Sequence, residues 1–82
     1  MPRFYFDVRE GNGFTRDDIG VEFDTLDAAK FAAATAAAEM GPDRLPKGDA
    51  REVTIEVKDE HGFLLLTVTV AMTVRETARA LA

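Results

Sequence analysis

The side chains best equipped for chemistry in this sequence are one histidine and several closely spaced carboxylates. His61 follows Asp59 and Glu60, an arrangement suited to an acid–base pair or to half of a metal site. The stretch ends in Gly62, and Asp-Glu-His-Gly is also turn chemistry, so a solvated turn accounts for it. One imidazole with two flexible acids does not fix a metal. Asp17 and Asp18 with Glu22, or Glu52 with Glu56, are the sets that carboxylate catalysis would draw on. On a strand, Glu52 and Glu56 share a face about 13 Å apart, wide for a glycosidase pair. Gly11-Asn12-Gly13 is a glycine turn with no helix N-terminus after it, and so no phosphate cradle. The oxygen-bearing residues from Glu10 to Asp18 lack the alternating spacing of calcium loops. The chain has no Cys and no Ser, and its threonines have no basic partner in view. No catalytic, metal or cofactor residue is assigned, and the expectation is a non-enzymatic protein.

The elements that would position these groups follow from periodicity. Phe4, Phe6 and Val8 alternate with Tyr5, Asp7 and Arg9, the pattern of a half-buried strand. Gly11-Asn12-Gly13 ends it, and a second alternation follows at Ile19, Val21 and Phe23. The residues between form either a long hairpin loop or a tight turn with a bulged strand end. Asp24 or Thr25 caps a helix from Leu26 to Met40, where alanine is about half of the sequence, eight of fifteen residues, and Gly41-Pro42 is the stop signal. Leu26, Ala29, Ala33, Ala36, Ala37 and Met40 form its core stripe. Residues 42–51 read as loop.

Val53, Ile55 and Val57 then alternate with Glu52, Thr54, Glu56 and Lys58. Beyond the Asp59–Gly62 turn, Leu64, Leu66, Val68, Val70 and Met72 form one face and Phe63, Leu65, Thr67 and Thr69 the other. Pairing Lys58 with Phe63 sets Val57 against Leu64, Ile55 against Leu66 and Val53 against Val68, with a Thr54–Thr67 pair on the other side. Thr73-x-x-Glu76 is a capping box, and Val74, Ala78 and Leu81 share a helical face, which suggests a short C-terminal helix. The predicted fold is α+β in the order β-β-α-β-β. It is a four-stranded, mostly antiparallel sheet with one alanine-rich helix on its apolar face.

Composition bounds the role. Eighty-two residues make one domain, and 46 % apolar with 30 % charged residues is globular composition. Without cysteine, neither disulfides nor thiolate metal sites hold the fold. No apolar run approaches the ~20 residues of a membrane span, and the N-terminus is strand-like, so a cytoplasmic protein is expected. A net charge of −5, with its Arg and Lys scattered among acids, argues against nucleic acid and anionic membranes as partners.

The opening Met-Pro-Arg-Phe-Tyr-Phe-Asp-Val resembles a family of short bacterial proteins of unknown function whose members typically begin Met-Pro-Arg-Tyr-Phe-Phe-His-Val. The likeness continues through Asp17-x-x-Gly20-x-Glu22, the helix around Ala28, Ala29 and Lys30, and Ile55-x-Val-x-Asp-x-x-Gly62. This chain has Asp7 where members often carry His or Asn. The resemblance implies the fold and carries no activity with it. The layout from Phe4 to Ala38 is also similar to antitoxin domains of the HicB type, an analogy of arrangement.

The helix has an unusual outer face. Phe31, Ala34, Thr35 and Ala38 lie there, and the second face of the sheet holds Tyr5, Phe63 and Leu65. Three readings cover this: solvated small residues, a C-terminal helix folded back on Phe31, or a contact surface for a partner. The seven residues are the candidate interface of a self-associating interaction or regulatory module, a homodimer or a partner of another protein. The alternatives are an antitoxin-like domain that binds a toxin or nucleic acid, and, last, a small metal-dependent enzyme.

Overall fold

The computed structural model describes residues 1–45 and 51–78. Five antiparallel strands and one helix follow in the order β1 (Arg3–Glu10), β2 (Gly13–Thr15), β3 (Val21–Glu22), α1 (Leu26–Arg44), β4 (Glu52–Lys58) and β5 (Leu64–Ala71). The sheet runs β2-β1-β4-β5, with β3 paired to the start of β1 on the same side as β2. The class is α+β, as the periodicity implied.

The alternation in β1 and β4 works as expected. Phe4, Val53, Ile55 and Val57 are buried on one face, where Phe6, Val8, Leu66, Val68 and Val70 add partial cover. Alanine-rich α1 lies over β4 and β5 and buries Ala29, Ala33 and Ala37 completely or nearly so. Such small side chains let the helix axis approach the sheet. Phe23 closes one end of this core, stacked on Phe6 at 6.0 Å and tilted against Phe4 at 6.2 Å. Thr25 is the helix cap, its hydroxyl accepting from the Ala28 N–H at 3.1 Å.

Five expectations are corrected. The strand anticipated through Ile19, Val21 and Phe23 shrinks to Val21–Glu22, and Ile19 is exposed, because residues 16–20 leave the sheet to carry Asp17 inward. The helix runs through Gly41 and Pro42 instead of stopping there. A proline in a helix interior costs about 3 kcal/mol, and Pro42 stands in the last turn, two residues before the helix ends at Arg44. Burying Leu45, whose N–H bonds the Gly41 carbonyl at 2.9 Å, returns about 1.5–3 kcal/mol. Bare Gly41 also lets the last turns rest directly on Val70. Leu26, assigned to the core stripe, is exposed at the first turn.

The β4–β5 register differs by two residues from the expected one. Val57 faces Leu66, Ile55 faces Val68 and Val53 faces Val70. Thr54 accordingly meets Thr69, hydroxyl to hydroxyl at 2.8 Å, instead of Thr67. The cause is the Asp59 carboxylate, which accepts from the N–H groups of both His61 and Phe63 and sets a wider turn. A bulge between the Val57 and Lys58 pairings absorbs the odd residue and leaves Leu64 exposed. Finally, Thr73–Ala78 form no helix and Phe31 is 76 % exposed, so no C-terminal helix covers it among the described residues; Leu81 lies outside them.

Candidate functional site

The face of the sheet turned away from α1 carries Tyr5, Asp7 and Arg9 from β1 beside Glu56 and Lys58 from β4. Alternation put Asp7 in solvent, yet it is buried. The edge strand explains this. β2 pairs with Val8–Glu10 and β3 with Arg3–Phe4, so the middle of β1 has no strand neighbour on that side. Asp17 fills the gap. Its carboxylate accepts from the Phe6 N–H at 2.9 Å, the place of a ladder bond. Its second oxygen takes the N–H groups of Ile19 and Gly20 at 3.0 and 2.9 Å. The Asp17 N–H donates in turn to Asp7 Oδ1 at 2.9 Å.

Gly20 makes this loop feasible. Its φ is +74°, and a Cβ there would stand 2.9 Å from the Phe4 carbonyl oxygen and from Arg3 and Tyr5 side-chain carbons. The remaining Asp7 oxygen accepts from Lys58 Nζ at 2.7 Å. Lys58 also reaches Glu56 at 3.7 Å, and Arg9 bonds Glu56 at 3.3 Å. The Phe14 ring lies under both cations, 4.7 Å from Arg9 and 5.7 Å from Lys58.

These contacts decide the protonation of the site. Burial pushes the Asp7 carboxyl up, but the Asp17 N–H and the Lys58 ammonium outweigh it and hold the group below its ordinary value. Burial acts on Asp17 likewise and is overcome by the N–H groups of Phe6, Gly20 and Ile19. The bond to Asp7 raises Lys58, against an opposing effect of burial. Anions kept ionised and a cation kept protonated are not poised to exchange protons near neutrality. They do hold a depression of about 540 Å³ in shape, with Tyr5, Phe14 and Arg16 among its walls.

Of the seven candidate interface residues, Phe31, Ala34, Thr35 and Ala38 lie exposed on the outer side of α1. Thr35 spends its hydroxyl on the Phe31 carbonyl at 3.0 Å. Tyr5 sits half-buried on the opposite, open face of the sheet, so the thickness of the domain separates it from Phe31. Phe63 and Leu65 are exposed at the turn and bulge that begin β5. His61 is exposed in the same turn, and among the described residues no group of three His, Cys, Asp or Glu is placed to hold a metal. No helix among them is long and apolar enough to cross a membrane.

Sequence reasoning passed over β5 as an edge. Its ladder with β4 ends in the Met72 N–H bond to the Arg51 carbonyl at 3.1 Å. Main-chain groups alternate in direction along an antiparallel strand, so those of Thr67, Thr69 and Ala71 point outward, away from β4. The eight residues Leu64–Ala71 contain no charge, Pro or Gly. That composition was the available signal. The Asp17 contact had one too, since Asp-x-x-Gly is an Asx-type turn whose carboxylate caps the next amides.

The family model that matches the chain, over residues 3–71, is that of a domain of unknown function, DUF6894. Neither a curated protein nor a solved structure matches it.

Proposed function

The chain belongs to the DUF6894 family, whose function is unknown, and we propose that it is a non-enzymatic protein-interaction module that works by strand addition at β5. The observation that carries this reading is the outer edge of β5, which no described residue pairs with: eight uncharged residues with three outward-facing peptide units. Unpaired edges of this kind template pairing with another chain, and proteins that do not use them protect them with charge, proline or breaks. The titratable groups of the open face support the same reading, because the Asp7 carboxylate is bound to Lys58 and the Asp17 carboxylate to main-chain N–H groups. Nucleic acid fits less well, since Arg16 and Lys58 beside the depression are already paired with Asp18 and Asp7.

A photo-reactive residue placed at position 69, and separately at position 18 on the opposite edge, tests this in living cells. Position 69 should yield protein adducts, identified by mass spectrometry, and position 18 should not. Equal yields at both positions, or none at 69, would overturn the reading.

A further inference from the structure

We infer that the strand added at β5 is the β5 of a second copy of this chain, antiparallel, about a two-fold axis through Thr69. This rests on the interaction reading and names its partner.

Self-pairing demands that every residue tolerate its symmetry mate. With the axis at Thr69, Thr69 faces Thr69 of the other copy, Thr67 faces Ala71, and Val68 faces Val70. No charge meets its own kind. The two half-buried valines on the helix side gain β-branched mates, the favoured cross-strand pair. The outward peptide units of Thr67, Thr69 and Ala71 lie in this ladder, each facing another outward unit. An axis at Val68 would instead draw Leu65 into the ladder, where the bulge bends the strand.

The helices fit as well. Because α1 lies over β4 and β5, the two copies of α1 would lie two strand spacings apart, roughly 10 Å. That matches the distance at which helices pack, roughly 8–10 Å. At 100° per residue, Ala28 and Ala32 fall on one flank of α1 and Ala34 and Ala38 toward the other, so small side chains are available for close approach. The two edges of the sheet complete the argument. The β2/β3 edge is broken and bears Arg16, Asp17 and Asp18, whereas no described residue protects β5 in this way. The surface left unprotected is also the self-complementary one.

Sedimentation of the purified chain across a hundredfold concentration range should show a dimer. Added salt should tighten it, because each copy carries a net charge of −5. Thr69→Lys sets two like charges opposite each other and should weaken the dimer about tenfold or more, with the circular dichroism of the fold unchanged. Thr69→Cys introduces the sole thiol of the chain. Cα atoms of a hydrogen-bonded antiparallel pair stand about 5.5 Å apart, within disulfide reach, so mild oxidation should give a covalent dimer. Asp18→Cys should not do so. A wild type monomeric throughout the range, or a dimer indifferent to Thr69→Lys, would overturn the second copy as partner. Should position 69 then still cross-link another protein in cells, strand addition at β5 would survive without self-pairing.

Discussion

Along one edge of the sheet, β2 and β3 contribute three and two residues, split by a loop that turns a carboxylate onto the backbone of β1. Along the other, β5 runs eight residues with its outer peptide groups unoccupied by any described residue. Both edges belong to one small sheet with one helix behind it, so the general need to avoid aggregation bears on them equally. The first meets that need by replacing a strand with a side chain. Asp17 satisfies Phe6 while offering no further ladder to a newcomer, and Arg16 and Asp18 flank it with charge. The second does nothing of the kind. The difference places the protective features on one side and the receptive ones on the other.

The contrast between the two edges is most sensitive at Gly20. Gly20→Ala puts a Cβ in the left-handed region, at about 1–2 kcal/mol, and crowds the Phe4 carbonyl, at about 1–3 kcal/mol more. Chemical denaturation should therefore show a loss of about 2–5 kcal/mol, and hydrogen exchange at the Phe6 amide should rise as Asp17 is displaced. A variant as stable as wild type would show that the loop does not need its close approach to β1.

Asp17→Ala is the next largest. It strands the N–H groups of Phe6, Ile19 and Gly20 but leaves water some access, so about 2–3 kcal/mol should be lost. Self-association should not fall in this variant. An exposed middle of β1 should add new, higher-order association. Loss of the dimer without higher species would contradict the division of roles between the edges.

Acid is the mildest probe. Asp7 and Asp17 are both held below their ordinary carboxylate values in the fold, by N–H donors and, for Asp7, by Lys58. Their contribution is present above the unfolded value near 3.9 and is lost as pH falls through the lower folded values. Denaturant midpoints should hold steady from pH 7 to about 5 and decline below about 4. Asp17→Asn should flatten that decline. An unchanged acid limb in the variant would mean that the Asp17 charge adds nothing to its hydrogen bonds.

How far the sequence foretold this arrangement depends on what each signal can resolve. Alternation located the buried faces of β1 and β4, and local capping chemistry marked the Asp59–Gly62 turn and narrowed the helix cap to Asp24 or Thr25, of which the fold uses Thr25. The β4–β5 register escaped for a physical reason. A slip of two residues returns every side chain to the same face, so a pattern with period two is blind to it. The turn's own hydrogen bonds decided it, together with one bulged residue. Gly41-Pro42 misled because a stop signal is a local cost, and burial of Leu45 together with the close approach of Gly41 to Val70 offsets it in the tertiary fold. Asp17 and Asp7 were visible as acids, but their meeting joins a loop to the centre of a strand ten residues away. The Asx turn at Asp17-x-x-Gly20 was legible, but neither segment alone announces that it docks on Asp7 and Phe6.

The carboxylate on Phe6 also sets the valence of the molecule. A sheet with two receptive edges is a bifunctional monomer, and bifunctional monomers grow into ribbons without limit. With one edge stoppered, the domain becomes a chain terminator. Whatever β5 takes up, nothing can be passed on across the sheet to a third strand, and growth ends at the first addition.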